Sequence, residues 1–437
     1  MFQGKAHAAL ISAPGSGQGK SMVTAALARL HRNAGLTVRV FKHGPDYLDP
    51  MIQEVASGQP VYQLHPWMTG EEECRWRLAE AAQEADVILV EGSMGLFDGS
   101  PSSADLAILA GIPALPVIDA WGMAQTFGAV AQGLANYHPD LAIHEVIANR
   151  VGSPGHGKLL ADSMPEGIAL LGAIPRNEAM KIPDRHLGLV QASELSGLDV
   201  QLDAAAEVLK EAGLDRLPKL VTLSAESPAP VPDYLNGVRI AIARDDAFAF
   251  IYRANVDVLR AMGAEVSFFS PLSDHQLPEC DALWLPGGYP ELNAARLIAN
   301  HSMFEAIRAH HRAGKPILAE CGGLMACVEH LVDGEGEKHA MLGLLNGTAK
   351  MAGKLTALGL QSLHAGAGEL RGHTYHHSLL ETAMTPLART RKLAGSEAEP
   401  IYREGGLVAS YFHGYFPSAP KLVADIFTGQ PISINNG

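Results

Sequence analysis

Pro316-Ile317-Leu318-Ala319-Glu320-Cys321-Gly322-Gly323-Leu324-Met325 carries a short apolar run into a pair of glycines, and a helical apolar pattern follows. A strand over Ile317 to Ala319 that breaks into Glu-Cys-Gly-Gly spells a strand–turn–helix elbow, which lifts one side chain clear of a sheet. Gly322 and Gly323 supply the small residues that such a turn needs behind the raised side chain. The helix that follows begins with unpaired N–H groups, whose partial positive charge favours a thiolate at Cys321. Glu320, next in line, should point its side chain away from the elbow. A cysteine placed this way implies acyl transfer, and that chemistry needs a base and an oxyanion hole.

Both can be read around the elbow. The strand pattern Asp281 to Leu285 ends in Pro286-Gly287-Gly288-Tyr289-Pro290. The N–H groups of Gly287 and Gly288, with that of Gly322, suit a tetrahedral oxyanion. The chain has 19 histidines, so a histidine alone carries little weight. His413 differs because it ends the run Val408-Ala409-Ser410-Tyr411-Phe412, a late strand that would bring it to the sheet edge. Cys327 carries no motif and reads as core.

The first half alternates strand and helix. Ala8 to Ala13, Thr37 to Phe41, Asp86 to Val90, Ala114 to Ile118 and Glu145 to Ala148 read as strands, and Lys20 to Ala34 reads as a helix. Such alternation predicts an α/β fold with a parallel sheet, whose ligands bind at the carboxyl ends of the strands. After the first strand comes Ala13-Pro14-Gly15-Ser16-Gly17-Gln18-Gly19-Lys20-Ser21. Gly15, Gly17 and Gly19 let backbone N–H groups turn around phosphate oxygens, Lys20 can reach the β/γ-phosphates, and Ser21 can ligate Mg²⁺. Pro14 stands where the common form of this loop has glycine. After the second strand comes Lys42-His43-Gly44-Pro45-Asp46-Tyr47-Leu48-Asp49-Pro50, and after the strand Asp86 to Val90 comes Glu91-Gly92-Ser93-Met94-Gly95-Leu96-Phe97-Asp98-Gly99. Glu91, at the end of the apolar Val87-Ile88-Leu89-Val90, is the natural metal ligand, with Asp46 a second. Lys42 could hold the γ-phosphate or a substrate carboxylate.

Residues 218 to 236 hold four prolines and read as a linker, giving domains over 1–217 and 237–437. In 437 residues the formal net charge is −14, which argues against a general nucleic-acid binder. No apolar run reaches membrane-spanning length. The four cysteines fit neither a zinc motif nor a disulfide framework, so a reducing cytoplasm is expected. A homodimer is compatible with the sequence.

Taken together these runs resemble the cobyrinic (or hydrogenobyrinic) acid a,c-diamide synthases. The resemblance rests on Phe41 to Pro50, Pro66-Trp67-Met68, Glu91 to Gly99, Leu285 to Leu292, Ala319 to Met325 and Ser410 to His413. It implies a P-loop domain similar to dethiobiotin synthetase followed by a class I glutamine-amidotransferase-like domain. It also implies ATP, Mg²⁺, L-glutamine and an anionic corrinoid tetrapyrrole, with Lys42, Tyr47, Leu48 and Asp49 at the macrocycle. Cys321 and His413 would release ammonia, and ATP would activate the a and c acetates as acyl phosphates. Many class I amidotransferases carry Glu two residues after the histidine; here that residue is Tyr415. Cobyric acid synthase, a nickel-sirohydrochlorin a,c-diamide synthase and a P-loop regulatory ATPase with a non-catalytic amidotransferase-like module are the alternatives.

Overall fold

Strands β1 (Phe2–Ser12), β2 (Val38–His43), β3 (Tyr62–Leu64), β4 (Val87–Glu91), β5 (Ala114–Asp119), β6 (Glu145–Val151) and β7 (Ala169–Pro175) lie in the order β3-β2-β4-β1-β5-β6-β7. Each neighbouring pair among them is parallel. Parallel neighbours require crossovers, and these cover both faces. Leu89 and Val87 of β4 pack with Ile11, Val40 and residues of α1 (Lys20–Asn33) on one face, while Ile88 and Val90 pack with Leu10 and Phe41 on the other. The fully apolar run before Glu91 is thus a strand buried on both sides. The loops after β1, β2 and β4 leave the same edge of three adjacent strands, which brings the glycine loop, the Lys42-to-Pro50 run and Glu91 together.

The computed structural model describes residues 1–181, 184–185, 188–366 and 368–433, and the chain forms two compact units, 1–228 and 229–437. The stretch expected to be a linker is not all linker. Leu220–Ala225 is a strand that pairs antiparallel with the first half of β1, from Phe2 opposite Ala225 to His7 opposite Leu220. The prolines flank this hexapeptide and leave its ladder intact, while Val221, Leu223 and Ala225 alternate toward the core.

The second unit holds a ten-stranded sheet. Its first half is parallel, with Glu265–Phe269, Arg239–Ala243, Ala282–Leu285, Ile317–Glu320 and Leu407–Ser410 side by side. It continues antiparallel through Glu397–Glu404, Ala388–Lys392, Ala357–Ala365 and Gly368–His376, and ends on the two-residue strand His413–Gly414. Ile317, Ala319 and Cys321 face one core, and Trp284 and Leu318 face the other. Among the described residues no helix is long and apolar enough to cross a membrane.

Candidate active sites

The elbow is present. Cys321 has φ 48° and ψ −105°, left-handed and strained for a residue with a side chain, between the strand Ile317–Glu320 and the helix Gly322–Cys327. Its N–H donates to the Ser410 carbonyl at 2.7 Å, locking the turn to the adjacent parallel strand. The glycines are required by close approach. A Cβ on Gly323 would lie 1.9 Å from the Leu285 oxygen, and one on Gly322 would lie 2.9 Å from the Gly288 nitrogen. A Cβ on Gly288 would lie 2.2 Å from the Ala247 oxygen, and one on Gly287 2.5 Å from Cε1 of His413. The structure therefore packs Gly322 against Gly288, and Gly287 against His413. The Gly287 carbonyl itself is turned away, accepting from Phe250 N–H at 2.9 Å.

His413 arrives differently from the expectation of one continuous strand. The parallel strand stops at Ser410, and His413–Gly414 pairs antiparallel with Gly372 and His373 at the sheet edge. The reason is local: Gly372 has no side chain, and a Cβ there would lie 1.9 Å from the His413 oxygen. The His413 and His373 rings stack at 4.9 Å and 13°, and Nδ1 of His373 lies 3.0 Å from the Tyr252 hydroxyl. Tyr415 lies past the short strand with its ring edge on Tyr252. Burial, then the neighbouring His373 and His376, depress His413 well below the ordinary histidine range. Burial pushes the Cys321 thiol up, Glu291 adds to that, and the Gly322 N–H opposes both. The thiolate expected from a helix N-terminus is outweighed because the helix has only six residues and the sulfur is enclosed. The pair at rest is a neutral thiol and a neutral imidazole. Cys327 is core, and all four cysteines are free.

In the first unit, Gly17 (φ 76°) and Gly19 (φ 95°) take left-handed backbone, while Gly15 does not. A Cβ on Gly19 would also meet the Asn149 amide at 2.4 Å. Lys20 opens α1 and donates to the carbonyls of Gly15 (3.3 Å) and Met94. Burial lowers its pKa, while Glu91 opposes. Ser21 Oγ donates to Glu91 Oε1 at 2.7 Å, and Lys42 Nζ donates to the same oxygen at 2.8 Å and to Asp49 Oδ2 at 2.6 Å. Gln53, one turn beyond Asp49 on α2 (Leu48–Ser57), donates to Glu91 Oε2.

Asp46, expected at the metal, uses Oδ1 to accept the N–H groups of Leu48 and Asp49, capping α2, and lies 3.8 Å from Lys42. A third of its side chain is exposed. Asp49, expected at the substrate, lies deeper, beside Glu91. Tyr47 and Leu48 start α2, half-buried. Burial lowers the Lys42 pKa, but Asp49, Glu91 and Asp46 more than offset this and hold it protonated. Burial and the Asp49 charge push Glu91 up to about 8, and they raise Asp46 as well. Burial would raise Asp49, but the Lys42 charge and hydrogen bonds with Asp46, Lys42 and Glu91 together hold it at about 2.

The residues fit a hard cation. Asp49 Oδ1 and Gln53 Oε1 are buried without a hydrogen-bond partner among the described residues, next to Ser21 and Glu91. Oxygens left over in this way suit the all-oxygen shell of Mg²⁺. Sequence reasoning missed Gln53 and Asn149. Gln53 could have been found from its i+4 spacing to Asp49. Asn149, whose amide donates to the Gln18 carbonyl at 2.9 Å, lies near the end of a buried strand, as Glu91 does.

Residues 239–421 match the CobB/CobQ-like glutamine amidotransferase domain, and residues 9–190 match the CobQ/CobB/MinD/ParA nucleotide binding domain. Fold and sites together define a glutamine amidotransferase joined to a nucleotide-binding domain. The chain is 56% identical over 97% of its length to hydrogenobyrinate a,c-diamide synthase of Pseudomonas aeruginosa, covering 98% of that protein. It is 57% identical over 95% of its length to the enzyme of the same name from Stutzerimonas stutzeri, covering 97% of it. Cobyrinate a,c-diamide synthase of Herminiimonas arsenicoxydans is 49% identical, with 96% of each chain covered. The chain belongs to the a,c-diamide synthase family.

Proposed function

We propose that this protein amidates the a and c acetate groups of hydrogenobyrinate in cobalamin biosynthesis, using glutamine as nitrogen donor and ATP as activator. One observation carries the reading: a single chain holds a cysteine elbow whose neighbouring glycine loop lies against His413, and a P-loop bonded to a buried carboxylate cluster, in a family whose members bear that name. The two relatives at 56–57% identity are named for the metal-free macrocycle, which is why hydrogenobyrinate is preferred over cobyrinate.

At the glutaminase, Cys321 Sγ attacks the glutamine side-chain carbonyl while His413 takes the thiol proton. Because both groups are neutral at rest, attack and proton transfer proceed together. The N–H groups of Gly287, Gly288 and Gly322 would stabilise the oxyanion. Collapse breaks the C–N bond, His413 returns the proton to the leaving ammonia, and water hydrolyses the thioester. At the P-loop, a substrate carboxylate oxygen attacks the γ-phosphorus of ATP, ADP leaves, and an acyl phosphate forms. Ammonia then displaces phosphate. A carboxylate needs this step because its own oxygen is a poor leaving group. Lys20 and Lys42 balance phosphate and carboxylate charge. Ser21, Glu91 and Asp49, with Asp46 at the rim, would hold Mg²⁺, which supplies charge neutralisation on the phosphates when bound. Tyr47 and Leu48 would contact the macrocycle. The need for ATP and a reduced Cys321 favours the cytoplasm.

Mass spectrometry tests the substrate. With ATP, Mg²⁺ and glutamine, hydrogenobyrinate should lose one mass unit twice, faster than cobyrinate does. No amidation of either macrocycle would refute the proposal.

A further inference from the structure

Glu320 is buried, and the catalytic steps above do not use it. Its side chain lies on the sheet face opposite Cys321, as strand alternation requires. There Oε2 accepts the Trp284 indole N–H at 2.9 Å, and Oε1 accepts the Gly414 backbone N–H at 2.8 Å. These partners have specific places in the chain. Trp284 lies on the strand Ala282–Leu285, whose next residues are Pro286, Gly287 and Gly288. Gly414 directly follows His413, and Glu320 directly precedes Cys321. One carboxyl group is therefore bonded to the strand of the oxyanion loop and to the residue after the base, and belongs to the residue before the nucleophile.

We propose that Glu320 is a positioning residue of the glutaminase, holding nucleophile, base and oxyanion loop in register from beneath the sheet. The inference rests on the assignment of Cys321 and His413 above. The chemistry of the two partners supports it. Both are donors with fixed directions, and two convergent donors need two acceptor oxygens, which a carboxylate has and an amide lacks. Burial pushes Glu320 up to about 7, the two N–H donors opposing. A leucine would fill such a position at lower desolvation cost, so the carboxylate's use lies in the two bonds. A misplacement of catalytic groups by a fraction of an ångström lowers turnover more than it lowers substrate affinity.

The test compares Glu320→Gln, Trp284→Phe and the double variant in the full-length protein. Glutamine hydrolysis, ammonia-dependent amidation and melting temperature are measured for each. In Glu320→Gln the amide NH₂ must face either the indole N–H or the Gly414 N–H. Glutaminase kcat should fall on the order of 10- to 100-fold, with KM for glutamine within about 3-fold and ammonia-dependent amidation retained. Trp284→Phe withdraws one donor, so in the double variant the introduced amide can turn its oxygen to Gly414 unopposed. The double variant should then be at least as active as Glu320→Gln alone. Three results would each overturn the proposal: full glutaminase in Glu320→Gln, parallel loss of both activities, or a double variant reduced by the product of the single effects. Cys321→Ser, measured alongside, tests the nucleophile assignment separately.

Discussion

Glu91→Gln tests the phosphate site apart from the glutaminase. Burial and the Asp49 charge raise Glu91 to about 8, yet Oε1 accepts from Ser21 and Lys42 and Oε2 from Gln53, so a glutamine there would turn its NH₂ toward one of these donors. Folding stability should therefore fall by about 1–3 kcal/mol, the cost of one buried donor left unsatisfied. Catalysis needs the carboxylate. Its Oε1 already meets Ser21 at 2.7 Å and Lys42 at 2.8 Å, and a cation there would displace the proton. Removing one charge-assisted interaction costs about 1.5–3 kcal/mol, so ammonia-dependent amidation should fall about 10- to 100-fold at fixed Mg²⁺. Added Mg²⁺ should restore part of it, with nucleotide binding retained. The sign with pH follows from the raised pKa. Below about 8 the ion competes with a proton, so the wild-type Mg²⁺ requirement should fall about fivefold from pH 7 to pH 8 and level off above about pH 9. In Glu91→Gln that dependence should flatten. Amidation rates on a Mg²⁺ by pH grid provide the measurement, with glutaminase activity as the control. An unchanged Mg²⁺ dependence in the variant would refute metal ligation by Glu91.

Lys20→Ala should abolish ATP-dependent amidation with either glutamine or ammonia as donor, read as ADP release; unchanged turnover would make the glycine loop structural. Since burial holds the Cys321 thiol neutral, alkylation by iodoacetamide should keep accelerating through about pH 9 without a plateau, and a plateau near pH 7 would show a thiolate at rest. Tyr415→Phe should reduce glutamine hydrolysis less than about 10-fold, because the ring is fully buried against Tyr252 outside the short strand of His413; a much larger loss with ammonia-dependent amidation preserved would make Tyr415 the orienting group.

The parallel strands were legible because a strand covered on both faces is a continuous apolar run, as in Val87 to Val90 and Ile317 to Ala319. The elbow and the glycine loop were legible because their glycines are fixed by local geometry. The strand Leu220–Ala225 was hidden by prolines that flank it without interrupting it. The antiparallel half of the second sheet, Ala357–Ala365 and Gly368–His376 above all, alternates too weakly in burial to announce itself. What stands against His413 depends on that half, so His373 had no signal in the sequence. The depths of Asp46 and Asp49 were likewise unreadable, because which carboxylate caps α2 and which meets Lys42 is decided by the turn between them.

Nitrogen released at Cys321 should become the amide made at the P-loop site. The direct measurement supplies amide-nitrogen-labelled glutamine together with unlabelled ammonium, ATP and hydrogenobyrinate, and reads the label in the product. The wild-type protein should place label at both new amides and release one ADP for each. Cys321→Ser should form the same diamide from ammonium alone, without label. Label transferred from glutamine by the Cys321→Ser protein, or amides formed without ADP, would contradict the coupling of the two sites.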